Sequence, residues 1–327
     1  MDLILEPGPE TLDRAAQVLH AGGLVVLPTE TVYGLAADAS QQSAVAAIYA
    51  LKGRPAGHPL IVHVADIAAA KRWGVFDGRA MALAQAFWPG PLTLILPRQP
   101  EAPGWACGGQ DSIGLRCPAH PVALGVLKAF ARLNTLGGLA APSANRFGRV
   151  SPTCARHVLD DLGEDTPMLI DGGACEVGVE STIVDLTDAR PRLLRPGRIR
   201  RDAIEGVLGE RLGGQDIDAP RASGTLASHY CPVTPVEVVT ESALKDRLAV
   251  LDREQLRVGV YAWRRPQAPH AFWLQAPEDE VGWERALYEA LRALDAEGLS
   301  RILIAAPDHA SGWDAVIDRV SRAAVRG

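Results

Sequence analysis

The sequence lacks the patterns of a secreted, membrane-spanning or zinc-binding protein. Its five cysteines are Cys107, Cys117, Cys154, Cys175 and Cys231. They are odd in number and include no CxxC pair, so they indicate neither a disulfide framework nor a zinc site. No apolar run approaches the roughly 20 residues that cross a bilayer, and the opening MDLILEPGPE is too short and too acidic for a signal peptide. We therefore predict a soluble, cytoplasmic protein with reduced thiols and no membrane partner.

The common phosphate-binding and hydrolytic signatures are also missing. The sequence contains no GxxxxGK[ST], no GxGxxG after a predicted strand, no HExxH and no GxSxG, which argues against a P-loop, a dinucleotide fingerprint and these two families of hydrolase. The formal net charge of −6 does not indicate a nucleic-acid-binding surface. An anion site would therefore need a local concentration of Lys and Arg.

What is present is an alternation of apolar strands and amphipathic helices. It begins with LVVLP after a helix, continues through LIVHV, LTLIL and SIGLRC, and reaches STIVDL and PRLLRPG. The last strands have no helices between them, so we predict a mixed sheet. Residues 213–235 lose the periodicity and are rich in Gly, Pro, Ser and Ala, which predicts a linker. The pattern then returns in a smaller α/β domain at 236–327, so the first domain spans 1–212.

Polar and basic residues follow the predicted strands of the first domain. The stretches are LPTETVYGLAAD, KGRPAGHPLIVHV, DSIGLRCP, APSANRFGRVSPT, GVESTIVDL and LRPGRI. Ligands of α/β sheets bind beyond the carboxyl ends of the strands. Several Arg and Lys side chains together with Ser and Thr hydroxyls suit a polyphosphate and a small carboxylate.

Each residue also has a structural interpretation. Thr29 and Thr31 fit a turn, and His63 fits an ordinary core histidine. Lys52 and Arg54 fit a helix C-terminus, where a cation contributes about 0.3–1 kcal/mol. Arg116 is different, because a buried arginine requires an anion. The combination of all these residues favours a binding site.

These motifs resemble the YrdC/Sua family over nearly all of residues 10–200, and the tail with HYCP resembles its two-domain Sua-type members. The resemblance implies a YrdC-like domain with a twisted mixed sheet and helices around a basic cavity, followed by a Rossmann-like α/β domain. It also implies a nucleotidyltransferase, a threonylcarbamoyl-AMP synthase, that uses L-threonine, bicarbonate or CO2, and ATP with Mg2+. Its product would pass to the tRNA threonylcarbamoyl transferase machinery, and direct tRNA binding is not required.

The resemblance also implies the site residues. The threonine side comprises Thr31, His63, Arg116, Ala141 and Ser181. The ATP side comprises Arg54, His58, Ser112, Ser143, Ser151, Arg195 and Tyr230. Lys52 lies near the phosphates, and Lys52 and Arg54 are the implied catalytic cations; no metal-ligating residue is implied.

This sequence departs from the family pattern at three positions. His58 stands where the family usually has Asn, Ser223 where proline is common, and Cys231 where alanine is common. The linker is longer than compact domains require and ends in an aromatic cluster, so we predict a lid with Tyr230 at its working end.

Two other functions fit part of the pattern. A concave basic surface also suits an RNA-binding module. The acidic net charge and the lack of aromatic residues among the basic ones argue against this alternative. A carbamoyl transferase of the same fold, or an enzyme acting on another amino acid, is the second alternative.

Overall fold

The computed structural model describes residues 4–214, 219–266, 271–307 and 312–325. The chain divides into two compact units. The first comprises Met1–Phe147, Pro152–Glu176 and Glu180–Thr225, and the second comprises Gly148–Ser151, Val177–Val179 and Leu226–Gly327. Of the predicted linker, residues 219–225 belong to the first unit and 226–235 to the second. Residues 215–218 of that linker lie outside the described residues.

The first unit is built on a mixed sheet. Its strands are β1 (Ile4–Leu5), β2 (Val25–Leu27), β3 (Gly34–Asp38), β4 (Ile61–Val64), β5 (Leu92–Pro97), β6 (Ser112–Arg116), β7 (Gly138–Ala140), β8 (Met168–Ile170), β9 (Thr182–Asp185) and β10 (Arg192–Arg195). Their order across the sheet is β1-β8-β2-β3-β7-β4-β6-β5-β9-β10. Strand β6 runs parallel to β4 and antiparallel to β5, which confirms the predicted mixed sheet.

Helices of the first unit cover this sheet. They are α1 (Pro9–His20), α2 (Gln42–Lys52), α3 (Ile67–Ala70), α4 (Gly78–Phe87), α5 (Pro121–Ala131), α6 (Ala155–Leu162) and α7 (Arg201–Leu208), with a 3-10 turn at Gly163–Asp165. Helix α2 ends at Lys52 because Gly53 adopts the left-handed conformation, with φ 64°, which glycine tolerates without steric cost. The turn leaves the Lys52 side chain at the C-terminal end of α2.

The second unit has a parallel sheet of its own. Its strands are β11 (Val236–Val239), β12 (Val258–Ala262), β13 (Phe272–Gln275) and β14 (Arg301–Ala305), in the order β11-β14-β12-β13. Its helices are α8 (Glu241–Arg253), α9 (Glu280–Ala296) and α10 (Asp314–Ala324). The smaller α/β fold predicted for the C-terminal region is confirmed. Among the described residues, no helix is both long and apolar enough to cross a membrane.

Several elements escaped the sequence prediction. Strand β3 reads GLAAD, and every residue of it is buried. It therefore shows no polar–apolar alternation, and Gly, Ala and Asp have weak strand preferences. The edge strand β13 and the short helices α6 and α7 were also not predicted.

Candidate functional site

One face of the large sheet carries three of the predicted site residues, His63, Ser112 and Arg116. His63 on β4 pairs with Arg116 on β6, and Ile61 pairs with Gly114. Because side chains alternate along a strand and paired residues share a face, these four positions lie on the same side of the sheet. Their neighbours Val62 and Leu115 point the other way, into the main hydrophobic core. The core therefore fixes the strands, while the opposite face is available for the polar groups.

Arg116 forms the centre of a buried polar cluster. Its Nη1 donates a hydrogen bond to Thr31 Oγ1 at 2.9 Å, and its Nη2 lies 2.6 Å from Glu30 Oε1 in an ion pair. Both charged side chains are at least nine-tenths buried. Glu30 Oε2 also accepts a hydrogen bond from the Ala119 backbone N–H. The pair is thus electrically balanced, as a buried arginine requires.

The turn after β2 presents Thr31 to this arginine. Thr29 Oγ1 accepts hydrogen bonds from the backbone N–H groups of Thr31 and Val32, and it lies 2.9 Å from Thr31 Oγ1. Thr29 therefore stabilises the turn through its hydroxyl group, which agrees with its interpretation as a turn residue. Thr31 combines that turn with a direct contact to Arg116.

His63 lies beside Arg116 as a buried, neutral imidazole. Burial, followed by the charge of Arg116, lowers the pKa of His63 to about 3. Its Nδ1 is buried without a hydrogen-bond partner among the described residues, and the same holds for Arg116 Nε. Buried polar atoms are seldom left unpaired in a folded protein. Two such atoms on neighbouring strands indicate a place where a polar ligand binds.

Ser181 connects β5 to β10. Its hydroxyl lies 2.8 Å from Thr93 Oγ1 and accepts a hydrogen bond from Arg195 Nη2 at 3.2 Å. Arg195 Nε also donates to the Ser181 backbone oxygen at 3.0 Å. The structure therefore brings together a residue implied for threonine and a residue implied for ATP.

A shallow, open pocket lies on the same face, and its empty space of about 280 Å³ includes open solvent. Ser112 and Thr93 supply hydroxyl groups to its lining, and Ile61, Ile95 and Ile183 supply an apolar floor. Ile95 and Ile183 form a small apolar cluster with Leu194 and Ala222, separate from the main core. An apolar floor with convergent hydroxyl groups is the usual composition of a small-molecule site.

The first part of the predicted linker forms one wall of this pocket. Ser223 Oγ donates to the Pro59 backbone oxygen at 2.7 Å, and the Ser223 backbone oxygen accepts from Arg195 Nη1 at 2.8 Å. Arg221 N–H donates to Gln110 Oε1, and Gln110 Nε2 donates back to the Arg221 oxygen. Residues 221–223 are thus bonded to the sheet and the loops around it.

Lys52 binds two carbonyl groups of the APSAN loop. Its Nζ donates to the backbone oxygens of Ser143 and Asn145, each at 2.6 Å. Burial, followed by the charge of Arg54, lowers the pKa of Lys52 well below its ordinary value. These bonds reach a different segment of the chain, so they are not the helix-capping contacts of the alternative interpretation.

Arg54 lies between the loop that contains His58 and Pro59 and the predicted linker. Its Nη2 donates to the Pro59 backbone oxygen at 2.9 Å and to Ser223 Oγ at 3.2 Å, and its guanidinium lies 5.6 Å from the centre of the Phe147 ring. The His58 ring lies 5.5 Å from the same Phe147 ring. Burial, followed by the charges of Arg54 and Arg221, lowers the pKa of His58.

The remaining predicted residues fall in two places. Ala141 donates its backbone N–H to the Ile61 oxygen at 3.1 Å, so it extends the sheet beside β4. Ser151 and Tyr230 belong to the second unit, where both are buried. The other eleven predicted residues belong to the first unit.

Sequence reasoning missed three residues of the site. Glu30 balances Arg116, Thr93 bonds Ser181, and Arg221 lines the pocket. A signal existed for two of them. Glu30 stands inside the TETVYG stretch, and Thr93 is the one polar residue of LTLIL.

Comparison with known families shows where the chain belongs. The family model for Sua5, YciO and YrdC, which carries the description "Telomere recombination", matches residues 17–197. The chain belongs to the Sua5/YciO/YrdC family. A second model, described as "Threonylcarbamoyl-AMP synthase, C-terminal domain", matches residues 199–325. The predicted two-domain Sua-type membership is therefore confirmed.

Relatives of the Sua5 type match over almost the whole chain. The threonylcarbamoyl-AMP synthase of Pyrococcus abyssi is 38% identical over 324 residues, which covers 94% of this chain and 92% of that protein. The threonylcarbamoyl-AMP synthase of Bacillus subtilis is 36% identical over 327 residues, covering 95% and 92%. The crystal structure of P. abyssi Sua5 complexed with L-threonine superposes with a TM-score of 0.89 at 36% identity, covering 98% of this chain and 96% of that one.

Proposed function

We propose that this chain forms threonylcarbamoyl-AMP and pyrophosphate from L-threonine, bicarbonate or CO2, and ATP. Its class, threonylcarbamoyl-AMP synthase, follows from family membership and from full-length relatives of that name. The use of L-threonine is supported by the Sua5 crystal structure complexed with that amino acid. We further propose that the product supplies the tRNA threonylcarbamoyl transferase machinery in the cytoplasm.

The observation that carries the proposal is the buried Arg116 cluster. Arg116 and His63 leave Nε and Nδ1 without partners among the described residues, beside the Thr31 hydroxyl. A guanidinium N–H suits the carboxylate of an amino acid. An unprotonated imidazole nitrogen and a threonine hydroxyl suit the polar groups of a small substrate. We call Thr31, Glu30, His63 and Arg116 the threonine end of the site.

The cations farther along the site suit ATP. Arg54, Arg195 and Arg221 lie around or beside the pocket that Ser112 lines, and Lys52 holds the loop that carries Ser143. We call Lys52, Arg54, Ser112 and Arg195 the ATP end. The isoleucine floor offers an apolar surface for a base, and the cations offer charge to the phosphates.

The proposed reaction has two steps. The threonine ammonium releases a proton to solvent, its amine nitrogen attacks the carbon of CO2, and that nitrogen then releases a second proton to solvent to leave a carbamate. A carbamate oxygen then attacks the α-phosphorus of ATP, the bond from that phosphorus to the bridging oxygen breaks, and pyrophosphate leaves. Neither step requires a covalent enzyme intermediate, so catalysis rests on positioning and on cations that stabilise the phosphoryl charge. Lys52 and Arg54 are the proposed source of that charge.

We propose Mg2+ as part of the ATP substrate. Hard divalent cations prefer carboxylate oxygens and water. The described residues that line the pocket include no Asp or Glu, and Glu30 is already bonded to Arg116 and Ala119. This donor set fits an ion that arrives on the phosphates better than an ion held by the protein alone.

We also propose that the linker acts as a lid. Residues 221–223 contact Arg54, Arg195, Gln110 and the Pro59 oxygen, so their release or closure changes access to the pocket. A closed segment excludes water from the labile carbamate.

The decisive experiment is a direct search for the product. The protein is incubated with threonine, carbon-13 bicarbonate and MgATP, and threonylcarbamoyl-adenylate is sought by mass spectrometry with its labelled carbonyl. Omission of threonine should abolish the product, and serine in its place should yield far less. ATP consumption without a labelled adenylate would contradict the proposal.

A further inference from the structure

Gly114 leaves a gap in the apolar floor of the pocket. It pairs with Ile61 on β4 and with Ile95 on β5, and all three residues line the pocket. Gly114 is also the one residue of β6 that is not buried. A glycine inside a strand weakens the strand, because it has no side chain to pack, and it often marks a place where another group approaches the backbone closely. The surroundings of Gly114 therefore decide whether the fold or a ligand requires this gap.

The fold itself does not require glycine at position 114. A Cβ added there would lie 3.5 Å from Ile61 Cγ1 and 3.6 Å from Thr93 Cγ2, which are ordinary van der Waals distances. The φ of Gly114 also lies outside the left-handed region. Gly138 on β7 is different, because a Cβ there would lie 2.5 Å from the Trp73 ring. Packing thus explains Gly138 but not Gly114, whose missing side chain leaves space on the pocket side of the sheet.

Gly114 lies midway between the two ends of the site. Side chains alternate along β6, so Ser112, Gly114 and Arg116 share one face of the sheet. A strand rises about 3.3 Å per residue, which puts Gly114 roughly 7 Å from Ser112 of the ATP end and roughly 7 Å from Arg116 of the threonine end. A substrate bound at one end must therefore reach across Gly114 to react with a substrate bound at the other.

We propose that the two substrates meet over Gly114, and that Gly114 is a specificity-determining residue because its missing side chain leaves room for the carbamate of threonine and the α-phosphate of ATP. The inference rests on the proposed function and names the place on the sheet where that reaction occurs. Gly114 itself contributes no group to the chemistry. Ile61 and Thr93, which flank it, limit the width of the gap.

The test is a series of side-chain sizes at position 114 in the full-length protein. Gly114→Val suits a strand, but its two methyl groups extend beyond the Cβ into the gap. It should lower kcat about 100-fold, because a displacement of about 1 Å between reacting groups has an effect of that size. Gly114→Ala should lower kcat by less than about 5-fold, because the Cβ alone fits at ordinary contact distances.

Binding measurements separate this role from a structural one. Calorimetry of Gly114→Val should give affinities for threonine alone and for a non-hydrolysable ATP analogue alone within about 3-fold of the wild type, because Arg116 and Ser112 are unchanged. With the analogue already bound, the threonine affinity should fall about 10-fold relative to the wild type, because valine then keeps the two ligands from sharing the gap. The melting temperature should not fall, since valine is favoured over glycine in a strand.

Gly206→Val is the matched control. Gly206 is exposed on α7, and a Cβ added there has no neighbour within 4 Å among the described residues beyond its own helix. The substitution should leave kcat and both affinities unchanged. Unreduced turnover in Gly114→Val would overturn the inference. So would a loss of either single-ligand affinity as large as the loss of kcat, because the valine would then disturb one end of the site rather than the space between the ends.

The wild type distinguishes this inference from the proposed function. If the wild type forms no threonylcarbamoyl-adenylate from threonine, bicarbonate and MgATP, both are wrong. An active wild type together with an equally active Gly114→Val refutes the inference alone. If Gly114→Val does not fold, Gly114→Ser places a single atom beyond the Cβ and should lower kcat about 10-fold. Turnover of Gly114→Ser equal to that of the wild type would then overturn the inference.

Discussion

The threonine end and the ATP end of the site bury their cations in different ways. Arg116 faces a carboxylate, Glu30, at 2.6 Å, in a balanced pair. Lys52 faces two backbone carbonyl groups at 2.6 Å, and its pKa is lowered by burial and by Arg54. At the threonine end, the charge of Arg116 is therefore already balanced by Glu30 without a ligand. At the other, two cations lie close enough to destabilise each other's charge.

This difference suggests what each end does. A balanced arginine holds a fixed geometry, which suits recognition of a small amino acid. A buried lysine beside an arginine gains from an incoming anion, because the phosphate charge offsets both the burial and the repulsion. We infer that the threonine end selects and the ATP end stabilises changing charge.

The largest effect should follow from Lys52→Met. Loss of one preorganised donor at a reacting anion typically lowers kcat by about 10²–10³-fold. We expect a loss in that range for pyrophosphate release measured with threonine, bicarbonate and MgATP. The melting temperature, recorded on the same samples, tests whether the folded enzyme itself is impaired.

Lys71→Met is the control, because Lys71 is exposed at the end of α3. It should leave turnover and melting temperature unchanged. If Lys52→Met lowers only the melting temperature, then Lys52 merely ties the Ser143–Asn145 loop to α2 and the contrast between the two ends disappears.

Arg116→Ala should have the next largest effect, on threonine alone. A charge-assisted hydrogen bond contributes about 1.5–3 kcal/mol, or roughly 10- to 100-fold in affinity. Calorimetry should show that loss for threonine and little change for a non-hydrolysable ATP analogue. The control is Arg132→Ala, since Arg132 forms an equally short ion pair with Asp13 at the surface. Equal losses for both ligands would mean that Arg116 supports the whole sheet.

The sequence predicted the strands of this site better than it predicted which side chains pair with each other. Alternation placed His63 and Arg116 on strands, and an arginine among buried residues required an anion. The anion turned out to include Glu30, which lies 86 positions before Arg116. No spacing rule joins residues that far apart, because the pairing depends on the strand order, which places β3, β7 and β4 between β2 and β6.

For the linker, the sequence predicted the absence of regular structure but not the contacts of individual residues. Its composition predicted a connection without regular structure, and residues 219–225 indeed form no helix or strand. Composition could not predict that Ala222 joins an apolar cluster with Ile95 and Ile183, or that Ser223 meets Arg54. Such contacts are made by single small residues, which leave no periodic signal.

The pH dependence of stability should distinguish the neutral His63 from an exposed histidine. Its pKa is lowered to about 3 in the folded protein, against an ordinary value of 6.5. Between these values the unfolded chain binds more protons, so stability falls as the pH falls. From about pH 6.5 to 5.5 this one residue should cost about 1 kcal/mol.

Urea unfolding of the wild type and of His63→Gln at both pH values measures that slope. The substitution should flatten it by about the same 1 kcal/mol. An unchanged slope in His63→Gln would mean that the imidazole is accessible to protons in the folded state.

The smallest effect should come from Ser223→Ala, which tests how the linker and ATP share Arg54. Ser223 Oγ accepts a hydrogen bond from Arg54 Nη2 and donates one to the Pro59 oxygen. If phosphate must displace this hydroxyl, then removing it lowers the cost of binding. A neutral hydrogen bond contributes about 0.5–1.5 kcal/mol, so the affinity for a non-hydrolysable ATP analogue should rise by up to about 10-fold.

Thr225→Val is the matched control for Ser223→Ala, because the Thr225 hydroxyl bonds only the nearby Ala222 oxygen among the described contacts. It should leave the affinity for the ATP analogue unchanged, since no cation of the ATP end is released. A weaker affinity in Ser223→Ala would reverse the interpretation, because it would mean that the hydroxyl contacts the nucleotide. The direction of this small change therefore decides whether the linker competes with ATP for Arg54 or completes its binding site.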